Sequence, residues 1–303
     1  MDVRQLEMFR AVAEEGTYTR AAERLHVSQS AISRQLQLLE QELGTILLYR
    51  GGRGVTLTAH GETMLTTANR INSEIQDAVS QIADARELRR GLLSLGGGMT
   101  VALYILPKLL KKFRSRYRNI DLRITTGEAD LLLHLLRTRQ VDLALLTLPI
   151  VGADLEVHPV LKDEMVVVTS GNHVLTRERT VDPKKLSRYP LVLFESGSNT
   201  RKVLDDFFLE EQIPANVVME TENVEIIKAM VASGLGITLL PYSAIAGELR
   251  TGHFAWARVR ARRLYRETGW VYLRSEYLPR AVAEVLRLFD EMKHQFGGKR
   301  PER

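Results

Sequence analysis

The fold of the first sixty residues is decided by the stretch Ala21-Ala22-Glu23-Arg24-Leu25-His26-Val27-Ser28-Gln29-Ser30-Ala31-Ile32-Ser33-Arg34-Gln35-Leu36. This stretch predicts a short helix, a break around Val27 and a second helix that Ser28 caps. Apolar residues recur on one face of the second helix, at Ile32, Leu36, Leu39 and Leu43. We therefore expect two helices joined by a short turn, with that face against a core.

The opposite face of the second helix carries short or forked hydrogen-bonding side chains and one cation. These are Gln29, Ser30, Ser33, Arg34 and Gln37. Side chains of this kind hydrogen-bond to base edges in the major groove of DNA. The alternative is a solvated face without a function, but such a face more often carries Glu and Lys. We therefore predict that this helix reads base sequence.

A glycine-rich tip, Gly51-Gly52-Arg53-Gly54, separates two short apolar runs and predicts a β-hairpin. On such a wing, Arg50 and Arg53 can reach phosphates or a minor groove. Upstream, Asp2 and Gln5 form the pattern of a capping box for a first helix. Together these signals predict a DNA-binding domain over residues 1–58.

A long helix is expected next, because residues 62–90 contain neither glycine nor proline. Apolar residues alternate at spacings of four and three, at Met64, Ala68, Ile71, Ile75, Ala78, Ile82 and Ala85. This heptad spacing favours pairing with a second helix, whereas the alternative is an amphipathic helix lying on its own domain. We predict a linker helix over residues 59–90 that dimerises the protein, with Ile71, Ile75 and Ile82 at the seam.

From residue 91 onward, short apolar strands alternate with helices, which indicates an α/β domain. The first three strands are followed by Met99 and Thr100, by Thr126 and by Thr147. The carboxyl ends of strands line the ligand crevice in open α/β sheets. We therefore expect these residues to contact a ligand, although each threonine alone is more often a helix cap.

A second group of polar residues lies at the start of later helices. Small hydroxyls and backbone N–H groups at a helix N-terminus bind anions. The group comprises Ser196, Ser198, Thr200, Arg201 and Asn223. It predicts a small anionic or polar ligand, while Glu195 and Glu222 keep a cationic or neutral ligand open. The alternative for the helix around Ser198 is an ordinary capping turn with Arg201 on the surface.

Composition restricts the remaining chemistry. The 303 residues carry a net charge of +5 and contain no cysteine, which excludes disulfides and cysteine-ligated metals. The seven histidines show no metal-ligand spacing, and we expect no cofactor and no metal. No apolar run is long enough to span a membrane and no secretory signal is visible, so a cytoplasmic protein is expected.

Arginines 258, 260, 262, 263 and 266 form a basic cluster that we interpret as a solvated face or an oligomer contact.

Many of these positions together resemble the LysR-type transcriptional regulators. The resemblance rests on Leu6-x-x-Phe9, Ala21-Ala22-x-x-Leu25-x-Val27-Ser28-Gln29, Ser33-Arg34-Gln35-Leu36, Leu39-Glu40, Leu43-Gly44, Leu48-x-Arg50 and Leu57-Thr58-x-x-Gly61. It continues through Leu106-Pro107, Val141-Asp142-Leu143-Ala144 and Val231-Ala232-Ser233-Gly234-Leu235-Gly236, and so covers essentially the whole chain.

The resemblance implies an N-terminal winged helix-turn-helix, a long linker helix and a two-lobed, periplasmic-binding-protein-like α/β effector domain. The effector domain would span residues 91–303, with lobe I over 91–162 and 268–303 and lobe II over 163–267. The expected partners are double-stranded promoter DNA, a small-molecule effector and further copies of the chain, which form a dimer through the linker helix and a tetramer through the effector domains. RNA polymerase is a further candidate. A solute-binding or transport component and an enzyme are the competing classes. The N-terminal helices argue against the first, and the lack of an acid–base pair or nucleophile argues against the second.

Overall fold

The computed structural model describes residues 1–51, 54–83, 91–177, 179–249, 252–260, 263–275 and 278–296. The chain divides into two compact units. The first comprises Met1–Leu88 with His134–Gln140, and the second comprises Arg89–Leu133 with Val141–Arg303.

The first unit consists of helices and one hairpin, as the sequence predicts. Its elements are α1 (Val3–Glu15), α2 (Tyr18–Leu25), α3 (Gln29–Leu43), β1 (Leu48–Gly51), β2 (Gly54–Leu57) and α4 (Ala59–Ala83). Asp2 and Gln5 form the expected capping box on α1. Ser28 caps α3 by accepting a hydrogen bond from the Ala31 N–H at 3.2 Å. The turn between α2 and α3 is therefore set by local side-chain chemistry.

Helix α3 packs on α1 and α2 through its apolar face. Ile32, Leu36 and Leu39 are buried against the core around Phe9. Leu43, expected on the same face, is 36% exposed. It lies in the last turn of α3, which ends at the left-handed Gly44 just beyond the core.

The start of α4 is fixed against the hairpin by Thr58. Its hydroxyl donates to the Ile46 carbonyl at 2.8 Å and accepts from the Gly61 N–H at 3.0 Å. Gly61 lies so close to the hairpin that a Cβ atom there would stand 2.1 Å from the Leu47 carbonyl oxygen. The Leu57-Thr58-x-x-Gly61 pattern therefore requires both its hydroxyl and its glycine.

The second unit alternates strands and helices. Its first part contains β3 (Gly91–Gly97), α5 (Met99–Tyr104), α6 (Leu106–Arg116), β4 (Ile120–Thr126), the start of α7 (Ala129–Arg137, grouped with the first unit from His134 on), β5 (Leu143–Thr147) and β6 (Leu155–Ser170). The rest contains β7 (Thr180–Val181), β8 (Leu191–Leu193), α8 (Asn199–Glu210), β9 (Val217–Glu220), α9 (Val224–Ala232), β10 (Thr238–Pro241), α10 (Tyr242–Ile245), β11 (Phe254–Val259), β12 (Tyr265–Leu273) and α11 (Arg280–Met292).

Strand β6 is shared by two lobes. Residues 155–164 of β6 pair with β12, and the sheet continues from β12 through β5 and β3 to the edge strand β4. Residues 165–170 of β6 pair with β10 and β11. Strand β8 adjoins β10 through the Leu191–Ile237 bridge, and β9 pairs with β8 at the outer edge. We call the part built on β3, β4 and β5 the first lobe and the part built on β7 to β11 the second lobe.

The sixteen-residue length of β6 differs from the short strand at residues 165–169 that the sequence indicates. Pro159 lies in the missed half and lacks a backbone N–H for the ladder. It stands opposite Gly269, where the register with β12 shifts. The bulge accommodates the proline, so a residue that normally interrupts a strand is retained within this one.

Candidate functional sites

The exposed face of α3 carries the residues that the sequence predicts. Gln29, Ser30, Arg34 and Gln37 are exposed, and Ser33 is half-buried. Within the described part of the chain, the Arg34 guanidinium forms no ion pair. This face therefore presents hydrogen-bond donors, acceptors and one positive charge to an external partner.

Three acidic residues of the first unit are engaged in contacts within it. Arg24 pairs with Glu14 at 2.6 Å and with Glu15 at 3.2 Å. A carboxylate oxygen of Glu40 accepts hydrogen bonds from the Leu47 and Leu48 N–H groups at 2.8 and 3.2 Å. Glu40 therefore ties α3 to the hairpin, and the charges of Glu14 and Glu15 are compensated by Arg24.

The wing is the second part of the predicted DNA contact. Strands β1 and β2 pair antiparallel, and Tyr49 on β1 is 61% exposed. Arg53 and the side chain of Arg50 lie outside the described residues, so their predicted contacts are not located.

In the second unit, a crevice lies where the two lobes meet. Five predicted residues line it: Met99, Thr100, Thr147, Ser198 and Thr200. Gly98, Gly127, Glu128, Phe194, Asn199, Glu222 and Arg266 are further lining residues. The Thr147 and Thr200 hydroxyl oxygens are 3.3 Å apart, and the Asn199 amide donates to the Thr147 carbonyl at 2.8 Å. The N-terminus of α8 is thereby joined to the end of β5.

The other predicted ligand contacts lie beside this crevice. Thr126 is the exposed last residue of β4. The Ser196 N–H donates to a Glu220 carboxylate oxygen at 3.2 Å. Asn223 caps α9 by accepting from the Glu225 N–H at 2.9 Å. These contacts are those of helix caps and strand ends.

Arg201 is engaged within the second lobe. Its Nε donates to Asp205 Oδ1 at 2.7 Å, and its Nη1 donates to Glu220 Oε1 at 2.7 Å and to the Phe194 carbonyl at 2.9 Å. The guanidinium lowers the pKa of the Glu220 carboxyl through this hydrogen bond. Two carboxylates thus neutralise Arg201, which joins α8 to the ends of β8 and β9 instead of presenting a free charge.

The cation that lines the crevice is Arg266 on β12. Its side chain is 2% exposed, its Nη1 is 3.5 Å from the Thr200 hydroxyl, and its Nη2 is 3.9 Å from Asp163. Within the described residues, its Nε and Nη2 have no hydrogen-bond partner. Burial raises the pKa of the Asp163 carboxyl, while Arg266 and a hydrogen bond from Ser243 lower it. Arg266 therefore retains N–H donors for a ligand.

Sequence reasoning placed Arg266 in a solvated basic cluster. The signal that could have located it is the alternation along β12, where Arg266, Thr268 and Trp270 share one buried face. The strand expected at residues 269–273 starts too late to show this alternation. An arginine on the same face as a buried tryptophan indicates an internal cation.

Comparison with known proteins identifies both units. Residues 3–62 match the family described as bacterial regulatory helix-turn-helix protein, lysR family, and residues 86–293 match the LysR substrate binding domain. The chain belongs to the LysR family of transcriptional regulators. It is 33% identical to the HTH-type transcriptional activator CmpR of Synechocystis sp., with 90% of each chain covered. It is 35% identical to the HTH-type transcriptional regulator CfxR of Cupriavidus necator, over 83% of this chain and 79% of that protein.

Solved structures of full-length LysR regulators have the same fold. A full-length OxyR variant from Pseudomonas aeruginosa matches with a TM-score of 0.80 at 25% identity, over 100% of this chain and 99% of that one. CbnR in complex with its target DNA matches with a TM-score of 0.71 at 26% identity, over 96% and 99% of the two chains. The expected family, fold class and regulatory function are thereby confirmed.

In this LysR-type regulator, a polar cluster joins the two lobes beside the crevice. Tyr104, one helical turn beyond Thr100 on α5, donates to Glu225 and accepts from Lys228 Nζ at 2.8 Å. Lys228, only 3% exposed, also pairs with Glu225 at 3.0 Å and with Glu248. Burial and the hydrogen bond to Glu225 raise the pKa of Tyr104 to about 12. Burial by itself lowers the pKa of Lys228, but its hydrogen bonds raise it. We call Tyr104, Glu225, Lys228 and Glu248 the latch.

Membrane spans and metal clusters are both lacking among the described residues. No helix in these ranges is long and apolar enough to cross a membrane. No group of three or more metal-ligating side chains occurs in the same ranges.

Replacing Tyr104 with Phe should destabilise the second unit at neutral pH by about 1 kcal/mol, because it removes hydrogen bonds to charged partners. The pKa of the phenol is about 10 in the unfolded chain and about 12 in the folded one. The protonated phenol therefore adds to the free energy of unfolding below pH 10, and this stabilisation is lost as the pH rises to 12. Chemical denaturation at pH 7, 9 and 11.5 should show a smaller alkaline loss of stability in the variant. Tyr189→Phe, in a ring that packs edge-on against His173, is the matched control. An identical pH dependence for Tyr104→Phe and wild type would contradict the role of the latch.

Proposed function

We propose that this LysR-type regulator binds promoter DNA through α3 and the wing, as a homo-oligomer joined through α4. A small anionic or polar metabolite in the crevice modulates this binding. The observation that carries the proposal is the exposed face of α3, on which Gln29, Arg34 and Gln37 have no partners among the described residues. We assign residues 1–58 to DNA binding, 59–90 to the linker helix and 91–303 to the effector domain, with the lobe boundaries given above.

The side chains of α3 suit reading of the major groove. Arg34 can donate two hydrogen bonds to a guanine, and Gln29 and Gln37 can pair with an adenine edge. Ser30 and Ser33 add short hydroxyls, and Arg50 and Arg53 on the wing contact the phosphate backbone or a minor groove. We infer that the protein acts on DNA in the cytoplasm, without a catalytic role. RNA polymerase is a proposed further partner.

Dimerisation through α4 explains how a unit with little net charge holds DNA. Residues 1–90 have a net charge of −1, so the phosphate attraction of a single unit is weak. A dimer places its two reading helices on two half-sites that lie one turn of the DNA, or a multiple of it, apart. Because the second contact is then intramolecular, the overall affinity for DNA rises. Ile71 and Ile75 lie one turn apart on α4 and are only partly buried within the chain, which supports a seam for a second helix there. Ile82 continues the heptad spacing, and its side chain lies outside the described residues.

The effector site is proposed on the crevice residues with free polar groups. Arg266 supplies unpartnered N–H donors, and the N-terminus of α8 at Ser198 favours negative charge. Met99, Thr100, Thr147 and Thr200 complete the contacts. Thr126, Ser196 and Asn223 remain proposed contacts at the rim, and Arg201 supports the site by fixing α8. Regulation requires that the ligand bind the two lobe arrangements with different affinity.

Replacing Arg34 with Ala should weaken binding to the cognate promoter by about 1–3 kcal/mol, because a bidentate base contact is lost. Binding to unrelated DNA should change much less. Fluorescence anisotropy with both duplexes at fixed salt measures the two affinities. Arg123→Ala, in an exposed arginine of β4, makes the same change in net charge and serves as the control. Equal loss in both variants would contradict base reading by Arg34.

Replacing Ile71 and Ile75 together with Glu should dissociate the α4 pair, because like charges would face each other in an apolar seam. Analytical ultracentrifugation should show the loss of the dimer, or halving of a larger oligomer. Thr63→Glu, at an exposed position of α4 outside the seam, is the control. A double variant that keeps the wild-type mass would show that α4 is not the seam.

Small carboxylic acids or phosphate esters that bind the crevice should raise the melting temperature of the protein. Replacing Arg266 with Met should abolish this rise. Because this change leaves Asp163 buried without its cation, the double variant Arg266→Met/Asp163→Asn is measured beside it. Asp163→Asn alone should keep the ligand response. A ligand-induced rise in melting temperature that survives in the double variant would place the anion site elsewhere.

A further inference from the structure

Carboxylates gather at the outer end of the effector crevice. Glu128 follows the edge strand β4 of the first lobe, and Glu222 follows the edge strand β9 of the second lobe. Both residues line the crevice. Burial and then the negative charges of Glu222, Glu195 and Asp130 raise the pKa of Glu128, while Lys202 lowers it. The two lobes therefore bring like charges close to one another at this end.

The opposite, hinge end of the crevice carries the buried cation. Arg266 lies on β12, and the order β4-β3-β5-β12 places it three strands from β4. With adjacent strands about 4.8 Å apart, the backbones of β4 and β12 are separated by roughly 14 Å. The long side chains of Arg266 and Glu128 shorten the distance between their charges. The crevice is thus polarised along the sheet, positive at the hinge and negative at the outer end.

Two independent observations therefore describe one ligand. The Arg266 side chain is almost completely buried, lines the crevice and has N–H groups without partners among the described residues, which points to an anionic group. The Glu128 and Glu222 carboxylates at the outer end accept hydrogen bonds but donate none, since an ionised carboxylate is only an acceptor. A ligand that fills the crevice must satisfy both ends.

We infer that the effector is a small anion whose other end carries hydrogen-bond donors, either hydroxyl or ammonium groups. This inference rests on the proposed effector site and adds Glu128 and Glu222 as the residues that select the ligand. The anionic group lies at Arg266, Thr200 and the N-terminus of α8, and the donors lie between Glu128 and Glu222. A ligand of this class also screens the repulsion between the lobes, so its binding favours their approach.

Other classes of small anion fit less well. A dianion with charges at both ends places its second charge against Glu128 and Glu222, where like charges repel. Glu128 and Glu222 are exposed, and an anion with an apolar tail displaces water from the sides of their carboxylates that face the crevice without replacing its hydrogen bonds, which is unfavourable. Selectivity therefore comes from the outer end of the crevice, and affinity for the anion comes from the hinge end.

A matched series of ligands tests the inference. Butyrate, 4-hydroxybutyrate, 4-aminobutyrate and succinate share a four-carbon chain and a carboxylate and differ only in the other end. The corresponding three-carbon phosphate esters, from propyl phosphate to 3-hydroxypropyl and 3-aminopropyl phosphate, replace the carboxylate. Calorimetry with the full-length protein should give binding at least fivefold tighter for the hydroxyl or amino member than for the methyl member, with succinate weakest. The stronger of the hydroxyl and amino arms identifies the donor.

Variants assign the selectivity to the two carboxylates. The double variant Glu128→Gln/Glu222→Gln should reduce the preference for the donor-bearing member to less than twofold and improve binding of succinate. Asp121→Asn, at the other end of β4, removes a carboxylate outside the crevice and should leave the preference unchanged. The anionic group that all members share binds at the other end of the crevice, so Arg266→Met/Asp163→Asn should weaken binding of every member.

The outcomes separate this inference from the proposed function. If methyl and donor-bearing members bind equally well and Arg266→Met/Asp163→Asn abolishes both, the effector site stands and the inference on its outer end is overturned. The same holds if the preference persists in the double glutamine variant. If no member of either series binds at ligand concentrations up to about 10 mM, the proposed anion site itself is wrong.

Discussion

The pairing of β6 with β12 is the constraint on which the second unit depends. The chain passes between the lobes once in each of these strands, and Asp163 stands opposite Arg266 in the ladder at the crossing. Because the two crossings are hydrogen-bonded to each other, they form one ribbon instead of two independent linkers. Any change in the angle between the lobes must bend or twist this ribbon.

The same ribbon explains why a cation can remain buried in this crevice. An isolated guanidinium is strongly disfavoured away from water, and Asp163 at 3.9 Å supplies only part of the compensation. Burial lowers the pKa of Arg266 while Asp163 raises it. The strands hold the side chain in place although its donors are not all satisfied, and an anion bound at the proposed site would complete them. The stability of the effector unit and its ligand binding therefore share one residue.

The N-terminal unit could be predicted almost completely from the sequence, because its signals are local. The capping box at Asp2, the cap at Ser28, the apolar face of α3 and the Leu57-Thr58-x-x-Gly61 pattern each act within a few residues. The crevice was predicted less well, because its contacts come from strands distant in sequence. Ser198 and Thr200 were placed correctly at the start of a helix, but the partners of Arg201 depend on the positions of Glu220 and Phe194. Arg266 was missed because its strand begins earlier than its apolar residues indicate. Residues 155–164 of β6 were not predicted as a strand, because Pro159 is compatible with a strand only opposite the bulge at Gly269.

The latch has a consequence for the timing of the response. Tyr104 belongs to the same short helix as Thr100 and is bonded to Lys228 and Glu225 of the second lobe. For the effector proposed to bind between the lobes, any release that requires the lobes to separate also requires these bonds to open, so the latch would slow release without contacting the ligand. The residence time of the effector, and not only its concentration, then sets how long a promoter keeps its regulated state after the metabolite has been consumed.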